Sequence, residues 1–258
     1  MDYQIKEKLI IVSGATSGFG RAIAELLLDE GAKVIAIGRR SEKLQELIDK
    51  YKTQVEVVCG DITQDKTQND VMSLVGSRHL DGALINAGGP PAGAFLEVNM
   101  SQWDEAYQNV LRWKVNFTQL LLSKMRPQKY GRITYIESMS VKEPISHLVL
   151  SNSLRMAVVG FVKTLSYEVA SEGITLNVMA PGMHDTPAMQ RLYKKKSETE
   201  NISVEEAKES FKSVIPVKDL GKAEEIAVLA LWLLSPLSRF VTGQTISHDG
   251  GAVCGSFG

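Results

Sequence analysis

The chain has 258 residues and a formal net charge of −1 at neutral pH. Its length suits one large domain spanning residues 1–258, with room for a substantial buried core. The charge balance argues against a nucleic-acid partner, because the densest basic cluster is only Lys194–Lys196, which we interpret as a solvated helix face.

The cysteines and the apolar runs bear on the compartment. Cys59 and Cys254 are too few for a disulfide framework, which fits a reducing interior. No apolar run approaches the length of a membrane span, and no opening stretch has the pattern of a signal peptide. We therefore expect a cytoplasmic protein with no membrane partner, and we predict no metal site.

The first predicted unit is a strand, a glycine-rich turn and a helix. Leu9–Val12 is an apolar run, Gly14, Gly18 and Gly20 follow it, and a helical apolar pattern then continues to Gly31. Glycines at such a turn let the backbone approach a pyrophosphate, which the helix N-terminus attracts. The spacing G-x-x-x-G-x-G is a weak signal alone, but its position between strand and helix predicts dinucleotide binding. The alternative is a glycine-rich turn without a ligand.

Strand and helix patterns alternate along the rest of the chain. The clearest helical patterns cover Ser101–Met125, Leu150–Ser171 and Ala223–Leu234. This alternation predicts an α/β fold, a single Rossmann-like, doubly wound domain with a parallel sheet of about seven strands and helices on both faces. The predicted strands are Leu9–Val12, Val34–Gly38, Val55–Cys59, Gly82–Asn86, Ile133–Ile136, Thr175–Met179 and Gln244–Ser247.

One region interrupts the regular alternation. Residues 183–216 are polar and prone to helix formation, and they follow the sixth predicted strand. Loops that leave the carboxyl ends of parallel strands form the ligand crevice of a doubly wound fold. We therefore predict a helical lid over the substrate near residues 183–216. The alternative is a surface excursion.

Several short motifs stand in a characteristic order. They are S-G-A-T-S-G-F-G, G-D-I, N-A-G-G, G-R-I-T-Y-I-E-S, N-V-M-A-P-G, and V-T-G-Q followed by H-D-G-G. In this order the chain resembles a short-chain dehydrogenase/reductase of the small single-domain type from about Ile5 to Gly251. The resemblance implies an oxidoreductase that passes a hydride between a nicotinamide and a carbon, with a proton moving to or from the oxygen.

The end of the second strand indicates which nicotinamide cofactor is used. A carboxylate there would bind the adenosine ribose diol and repel a 2′-phosphate, but the chain has Arg39 and Arg40 instead. Guanidinium groups suit a phosphate because they donate parallel charge-assisted hydrogen bonds. We predict NADP(H), with NAD(H) as the second possibility. The alternative interpretation is that both arginines cap a surface loop.

The resemblance implies the other cofactor contacts position by position. They comprise the phosphate turn, the adenine contacts, the stretch beneath the ribose, and the segment near the nicotinamide carboxamide and the phosphates. In that order they are Gly14, Thr16, Ser17, Gly18, Phe19 and Gly20; Asp61 and Ile62; Asn86, Ala87 and Gly88; and Pro181, Gly182, His184 and Thr186.

The catalytic pattern of the family is broken in this chain. The family uses a serine, a tyrosine thirteen residues later, a lysine four residues after that, and an asparagine in the preceding helix. Ser138 is present, but the tyrosine position holds Ser151 and the lysine position holds Arg155. The asparagine position falls on Val110, and we expect the neighbouring Asn109 to point elsewhere. A serine hydroxyl is far less acidic than a tyrosine, and arginine cannot shuttle protons.

Two interpretations follow. In the first, the protein is an NADP(H)-dependent oxidoreductase for a small-molecule carbonyl or alcohol. Arg155, which also holds the nicotinamide ribose, and Ser138 would then stabilise the alkoxide, and water, Lys142, His147 or Tyr193 would supply the proton. In the second, it is a catalytically inactive NADP(H)-binding sensor or interaction module.

The resemblance also implies a homo-oligomer, either a dimer or a tetramer. Apolar stretches at Leu120–Leu122 and Val158–Phe161 are candidates for its interface, although burial within the monomer explains them equally well.

Overall fold

The computed structural model describes residues 2–256, apart from the side chains of residues 188, 191 and 195. The side chain of Lys195, which belongs to the basic cluster, is therefore not described. Met1 and residues 257–258 of the predicted domain lie outside the described residues. Within residues 2–256 the strands are β1 (Leu9–Ser13), β2 (Lys33–Gly38), β3 (Val55–Cys59), β4 (Gly82–Ile85), β5 (Gly131–Ile136), β6 (Ile174–Pro181) and β7 (Thr245–His248).

The helices fill the connections between these strands. None of them, within the described part of the chain, is long and apolar enough to cross a membrane. They are α1 (Gly18–Asp29), α2 (Ser41–Tyr51), α3 (Asp65–Val75), α4 (Met100–Ala106), α5 (Trp113–Gln128), α6 (Val149–Val169), α7 (Pro187–Glu200), α8 (Val204–Ser213) and α9 (Ala223–Leu234).

The strands form one parallel sheet in the order β3-β2-β1-β4-β5-β6-β7. From β1 the chain first builds outward through β2 and β3, and then crosses back to place β4 on the other side of β1. The order therefore reverses between β1 and β4, where a doubly wound sheet opens its ligand crevice. The predicted Rossmann-like fold is confirmed, and no strand boundary departs from its prediction by more than two residues.

Successive residues of each strand serve opposite faces of the sheet. Val12 and Ile136 pack with α1, α2 and α9 on one face. Ile11 and Tyr135 pack with α3, α5 and α6 on the other. Because both faces are covered, the strands are continuous apolar runs rather than alternating ones, which is why short apolar stretches located them.

The region predicted as a lid folds into α7 and α8. A small core of its own holds these helices together, built around Tyr193, Ala207, Ile215 and Leu220. Helix α7 begins at Pro187, directly after β6 and its following loop. The predicted helices are therefore present after the carboxyl end of β6. Their closure over a substrate stays a prediction.

The two candidate interface stretches are divided between core and surface. Leu121 and Val158 are fully buried in the monomer. Leu122, which is also buried, and the half-buried Phe161 border a groove between α5 and α6. The oligomeric state stays a prediction.

The core assignment can be tested with a matched pair of leucines. Leu121 is completely buried, whereas Leu96 is 93% exposed. Leu121→Ala should lower the free energy of unfolding by about 2–5 kcal/mol, because it leaves a cavity in a packed face of the sheet. Leu96→Ala should change it by less than about 0.5 kcal/mol. Urea denaturation measures both, and equal losses would contradict the assigned core.

Candidate active site

A crevice of about 560 Å³ lies beyond the carboxyl ends of the strands at the β1–β4 reversal. Most of the residues predicted to bind a cofactor line it: Gly14, Thr16, Ser17, Gly18, Phe19, Arg39, Asp61, Ile62, Asn86, Ala87, Gly88, Arg155 and Thr186. The same crevice is lined by further residues, among them Gly89, Asn109, Ile136, Glu137 and Pro187.

The middle of the crevice is the turn between β1 and α1. Ser17 is the N-cap of α1, but its side chain makes no capping hydrogen bond, and the first helical turn holds no acidic residue. A Cβ on Gly20 would stand 2.3 Å from the carbonyl oxygen of Gly14, so only glycine lets the helix start this close to the turn. The helix therefore presents its positive end to the crevice, where it attracts an anion.

The two arginines at the end of β2 have different surroundings. Arg39 lines the crevice, is 79% exposed, and has its Nη1 3.9 Å from Oδ2 of Asp61. Arg40 instead donates from Nη2 to the carbonyl oxygen of Thr16, over 2.6 Å. Arg39 is therefore the guanidinium available to a ligand, while Arg40 braces the turn.

A buried serine fixes the next wall of the crevice. Oγ of Ser13 accepts a hydrogen bond from the backbone N–H of Asn86 and donates to the Asn86 carbonyl oxygen, both over 2.8 Å. This ties the end of β1 to the chain that leaves β4. The stretch from Asn86 to Gly89 is consequently held beside the glycine-rich turn.

Some predicted cofactor residues do not line the crevice. They are Gly20, Arg40, Pro181, Gly182 and His184. Of these residues, Gly20 and Arg40 support the glycine-rich turn through the contacts described above.

His184 braces the segment between β6 and α7. Its Nδ1 lies 3.0 Å from the carbonyl oxygen of Gly182, and its Nε2 lies 2.9 Å from Nδ1 of His248. Its ring also meets the ring of Phe19 edge-on, with the centroids 5.0 Å apart. Burial lowers the pKa of His184, and the proximity of His248 acts in the same direction.

Ser151 and Arg155 stand one turn apart on α6 and are joined to a buried carboxylate. Nε of Arg155 donates to Oγ of Ser151 over 3.1 Å, and Nη1 donates to Oε2 of Glu137 over 2.8 Å. The other carboxylate oxygen of Glu137 accepts from Nζ of Lys114 on α5. Burial lowers the pKa of Lys114 and Arg155 acts in the same direction, while Glu137 opposes both.

The remaining Nη2 of Arg155 faces the loop after β4. A Cβ on Gly89 would stand 2.9 Å from this nitrogen, so a side chain at that position would displace the guanidinium. Ser151 and Glu137 thus hold the guanidinium of Arg155, and its remaining nitrogen, Nη2, lies at the wall of the crevice.

The other candidate catalytic residues lie outside the residues that line the crevice. Ser138 lies two residues after β5 and accepts a hydrogen bond from the N–H of Ser140 over 3.1 Å. Lys142 is half-buried, which lowers the pKa of its amine. The side chain of His147 is 71% exposed. Tyr193 is fully buried in the lid, and this burial raises its pKa to about 12, which makes it a poor proton donor.

Asn109 departs from the sequence-based expectation. It was expected to point away from the site, yet it lines the crevice, while Val110 is buried. The reason is that residues 107–112 form a π-helical segment between α4 and α5. The wider turn shifts the helical register, so a count based on regular α-helix assigns the wrong face.

Sequence reasoning missed Glu137 and Lys114. Two weak signals were available: a glutamate directly after the apolar end of β5, and a lysine between apolar residues of α5. Charged residues in such positions are fully buried only when they are paired. Their partners lie more than fifteen residues away in sequence, so the pairing itself was visible only in the structure.

The doubly wound sheet, the glycine-rich turn and the crevice at the strand-order reversal define a Rossmann-like α/β protein. A family model described as enoyl-(acyl carrier protein) reductase matches residues 14–253. With this match, and with the relatives described below, the chain belongs to the short-chain dehydrogenase/reductase family of oxidoreductases.

Relatives match over nearly the whole chain. The 3-oxoacyl-(acyl-carrier-protein) reductase FabG of Aquifex aeolicus is 29% identical over 97% of this chain and 99% of its own length. The NADPH-dependent reductase BacG of Bacillus subtilis is 27% identical over 96% and 99%. The crystal structure of L-sorbose reductase from Gluconobacter frateurii, complexed with NADPH and L-sorbose, is 26% identical with a TM-score of 0.93, and covers 99% of this chain and 100% of that chain.

The buried His184 should make the protein sensitive to acid. Its folded-state pKa lies below the ordinary value of 6.5, so the unfolded chain binds the proton more readily. Its contribution to stability is therefore complete above about pH 6.5 and is lost as the pH falls through the folded-state pKa. His184→Gln should lose less stability than the wild type between about pH 7.5 and about pH 5.5. Thermal unfolding at both pH values measures this.

His147→Gln is the control for that experiment, because the His147 side chain is largely exposed. It should retain the pH dependence of the wild type. Wild type and His184→Gln losing the same stability over this range would refute the role of His184.

Proposed function

We propose that the protein is an NADP(H)-dependent oxidoreductase that interconverts a small-molecule carbonyl and an alcohol by hydride transfer, with an atypical proton relay. The observation that carries the proposal is one continuous crevice. Arg39 stands at one end of it, the uncapped N-terminus of α1 lies in the middle, and Arg155 stands at the other end.

The residues present fit a phosphorylated dinucleotide. The glycine-rich turn would hold the pyrophosphate on the free N–H groups of α1. Arg39 would bind the 2′-phosphate, since its side chain is open to the crevice and no acidic residue occupies the end of β2. Asp61 and Ile62 would border the adenine, and Asn86–Gly88 would lie beneath the ribose next to the turn.

The relatives favour the same cofactor. BacG is named an NADPH-dependent reductase, and the structure of L-sorbose reductase holds NADPH together with its substrate. Both match this chain over nearly its whole length. A cofactor with a 2′-phosphate is therefore the one we assign to the crevice.

When bound, NADPH supplies a hydride to the carbonyl carbon, and the carbonyl oxygen gains a proton to complete the alcohol. Arg155 would stabilise the negative charge that develops on this oxygen, because its guanidinium is fixed by Ser151 and Glu137 before any substrate binds. Ser138, two residues after β5, would donate a further hydrogen bond. Arginine does not release its proton, so the proton would come from water or from Lys142.

A second candidate is a protein that binds NADP(H) without turning it over. The absence of a tyrosine at position 151 favours it, because an aliphatic hydroxyl is a poor general acid at neutral pH. The preorganised Arg155 at the far end of the crevice favours the enzyme, since a sensor of the adenosine half would not need it.

Cofactor selection tests the assignment of Arg39. We expect NADPH to bind more tightly than NADH, and Arg39→Ala to reduce this preference by roughly tenfold or more, because it removes a charge-assisted hydrogen bond to the 2′-phosphate. Arg40→Ala is the matched control and should preserve most of the preference, since Arg40 contacts the Thr16 carbonyl. Titration of nicotinamide fluorescence with NADPH and NADH measures the six affinities of the wild type and the two variants. Equal binding of both cofactors by the wild type would rule out the 2′-phosphate site.

Turnover separates the enzyme from the sensor. With NADPH and a panel of keto sugars and 3-oxoacyl thioesters, we expect loss of NADPH absorbance for at least one compound. Arg155→Gln should slow that loss by roughly a hundredfold, as removal of an oxyanion donor does elsewhere. Lys33→Met removes an exposed ion pair with Glu7 at the amino end of β2, the opposite end of the sheet from the crevice, and should have no effect. An inert wild type that becomes active as Ser151→Tyr/Arg155→Lys would establish the sensor instead.

A further inference from the structure

Three charged side chains are buried together beside the crevice. Their exposed fractions are 3% for Lys114, 0% for Glu137 and 11% for Arg155. Lys114 comes from α5, Glu137 from the residue after β5, and Arg155 from α6. Since each side chain faces another of the three, they form one unit, which we call the charge cluster.

The charge cluster carries one net positive charge. Lys114 and Glu137 contact each other, and their opposite charges cancel. Arginine keeps its charge in proteins, so the positive charge of Arg155 is not cancelled within the cluster. This net charge is held in a place where little water screens it.

The position of the charge cluster along the crevice identifies the part of the cofactor that it meets. Arg39 and Asp61 stand at one end of the crevice, and the glycine-rich turn lies in the middle. With the pyrophosphate at the turn and the adenosine at Arg39, the nicotinamide is left for the end formed by Glu137, Arg155 and Thr186. The nicotinamide ring is neutral in NADPH and carries a positive charge in NADP⁺.

We propose that the charge cluster makes the crevice bind NADPH more tightly than NADP⁺ and so sets the site toward carbonyl reduction. This rests on the proposed function, because it needs the dinucleotide in the crevice. A buried positive charge repels the cationic ring and leaves the neutral ring unaffected. Each reduction converts NADPH into NADP⁺, so the same repulsion promotes release of the spent cofactor.

The test is a set of dissociation constants for NADPH and NADP⁺, with NADPH measured by nicotinamide fluorescence and NADP⁺ by competition. Two like charges within about 10 Å at an effective dielectric constant of about 20 imply a preference for NADPH of roughly tenfold. Arg155→Gln removes the net charge and should abolish the preference. Arg155→Lys keeps the charge at the same place and should retain it.

Lys114 and Glu137 supply an independent pair of variants. Lys114→Met leaves Glu137 and Arg155 to cancel each other, so the preference should disappear. Lys114→Met/Glu137→Gln restores one net positive charge and should restore the preference. A merely structural role predicts the opposite order, with the double variant at least as impaired as the single one.

The outcomes distinguish this proposal from the function on which it rests. No binding of NADPH or NADP⁺ to the wild type would overturn both. Binding with a ratio that stays constant across the variants, or one that the double variant fails to restore, would overturn the charge cluster alone. Circular dichroism checks that each variant folds. If Lys114→Met does not fold, the comparison of Arg155→Gln with Arg155→Lys decides.

Discussion

A carboxylate that is shut off from water is stable as an ion only when it is paired, and Glu137 receives one cation from α5 and one from α6. Lys114 reaches it from α5 and Arg155 reaches it from α6. Because both of its oxygens are engaged, β5 and the two helices are tied together at the crevice floor. The orientation of Arg155, its bond to Ser151 and its approach to Gly89 all depend on this contact.

Most of the fold could be predicted because its signals are local. A parallel sheet buried on both faces produces short apolar runs, and the glycine at position 20 is required by a backbone carbonyl only a few residues away. The part of the crevice that we assign to the adenosine could be predicted for the same reason, because the residues that line it directly follow strand ends. Arg39 and Arg40 looked equivalent in sequence, and only the position of the Thr16 carbonyl separates them.

The chemical half of the site was harder to predict because its signals are not local. The orientation of Asn109 toward the crevice depends on the π-helical segment Tyr107–Arg112, and no residue pattern in that segment predicts a π-helix. Glu137 and Lys114 looked like isolated charges within apolar segments, and their meaning depends on each other and on α6. Ser151 and Arg155 are visible in the sequence as departures from the family pattern, but the Glu137 carboxylate that holds Arg155 and the Lys114 amine paired with it lie on other elements.

Stability alone does not explain why the chain keeps the charge cluster. Desolvation of buried ions often cancels their attraction, and apolar side chains of similar volume would serve folding as well or better. The two residues at the tyrosine and lysine positions offer no proton donor of ordinary acidity, since Arg155 retains its proton and Ser151 is an aliphatic alcohol. The cluster does provide a positive charge that is held in a fixed position at the crevice. A site that stabilises charge electrostatically needs that feature more than it needs a tyrosine.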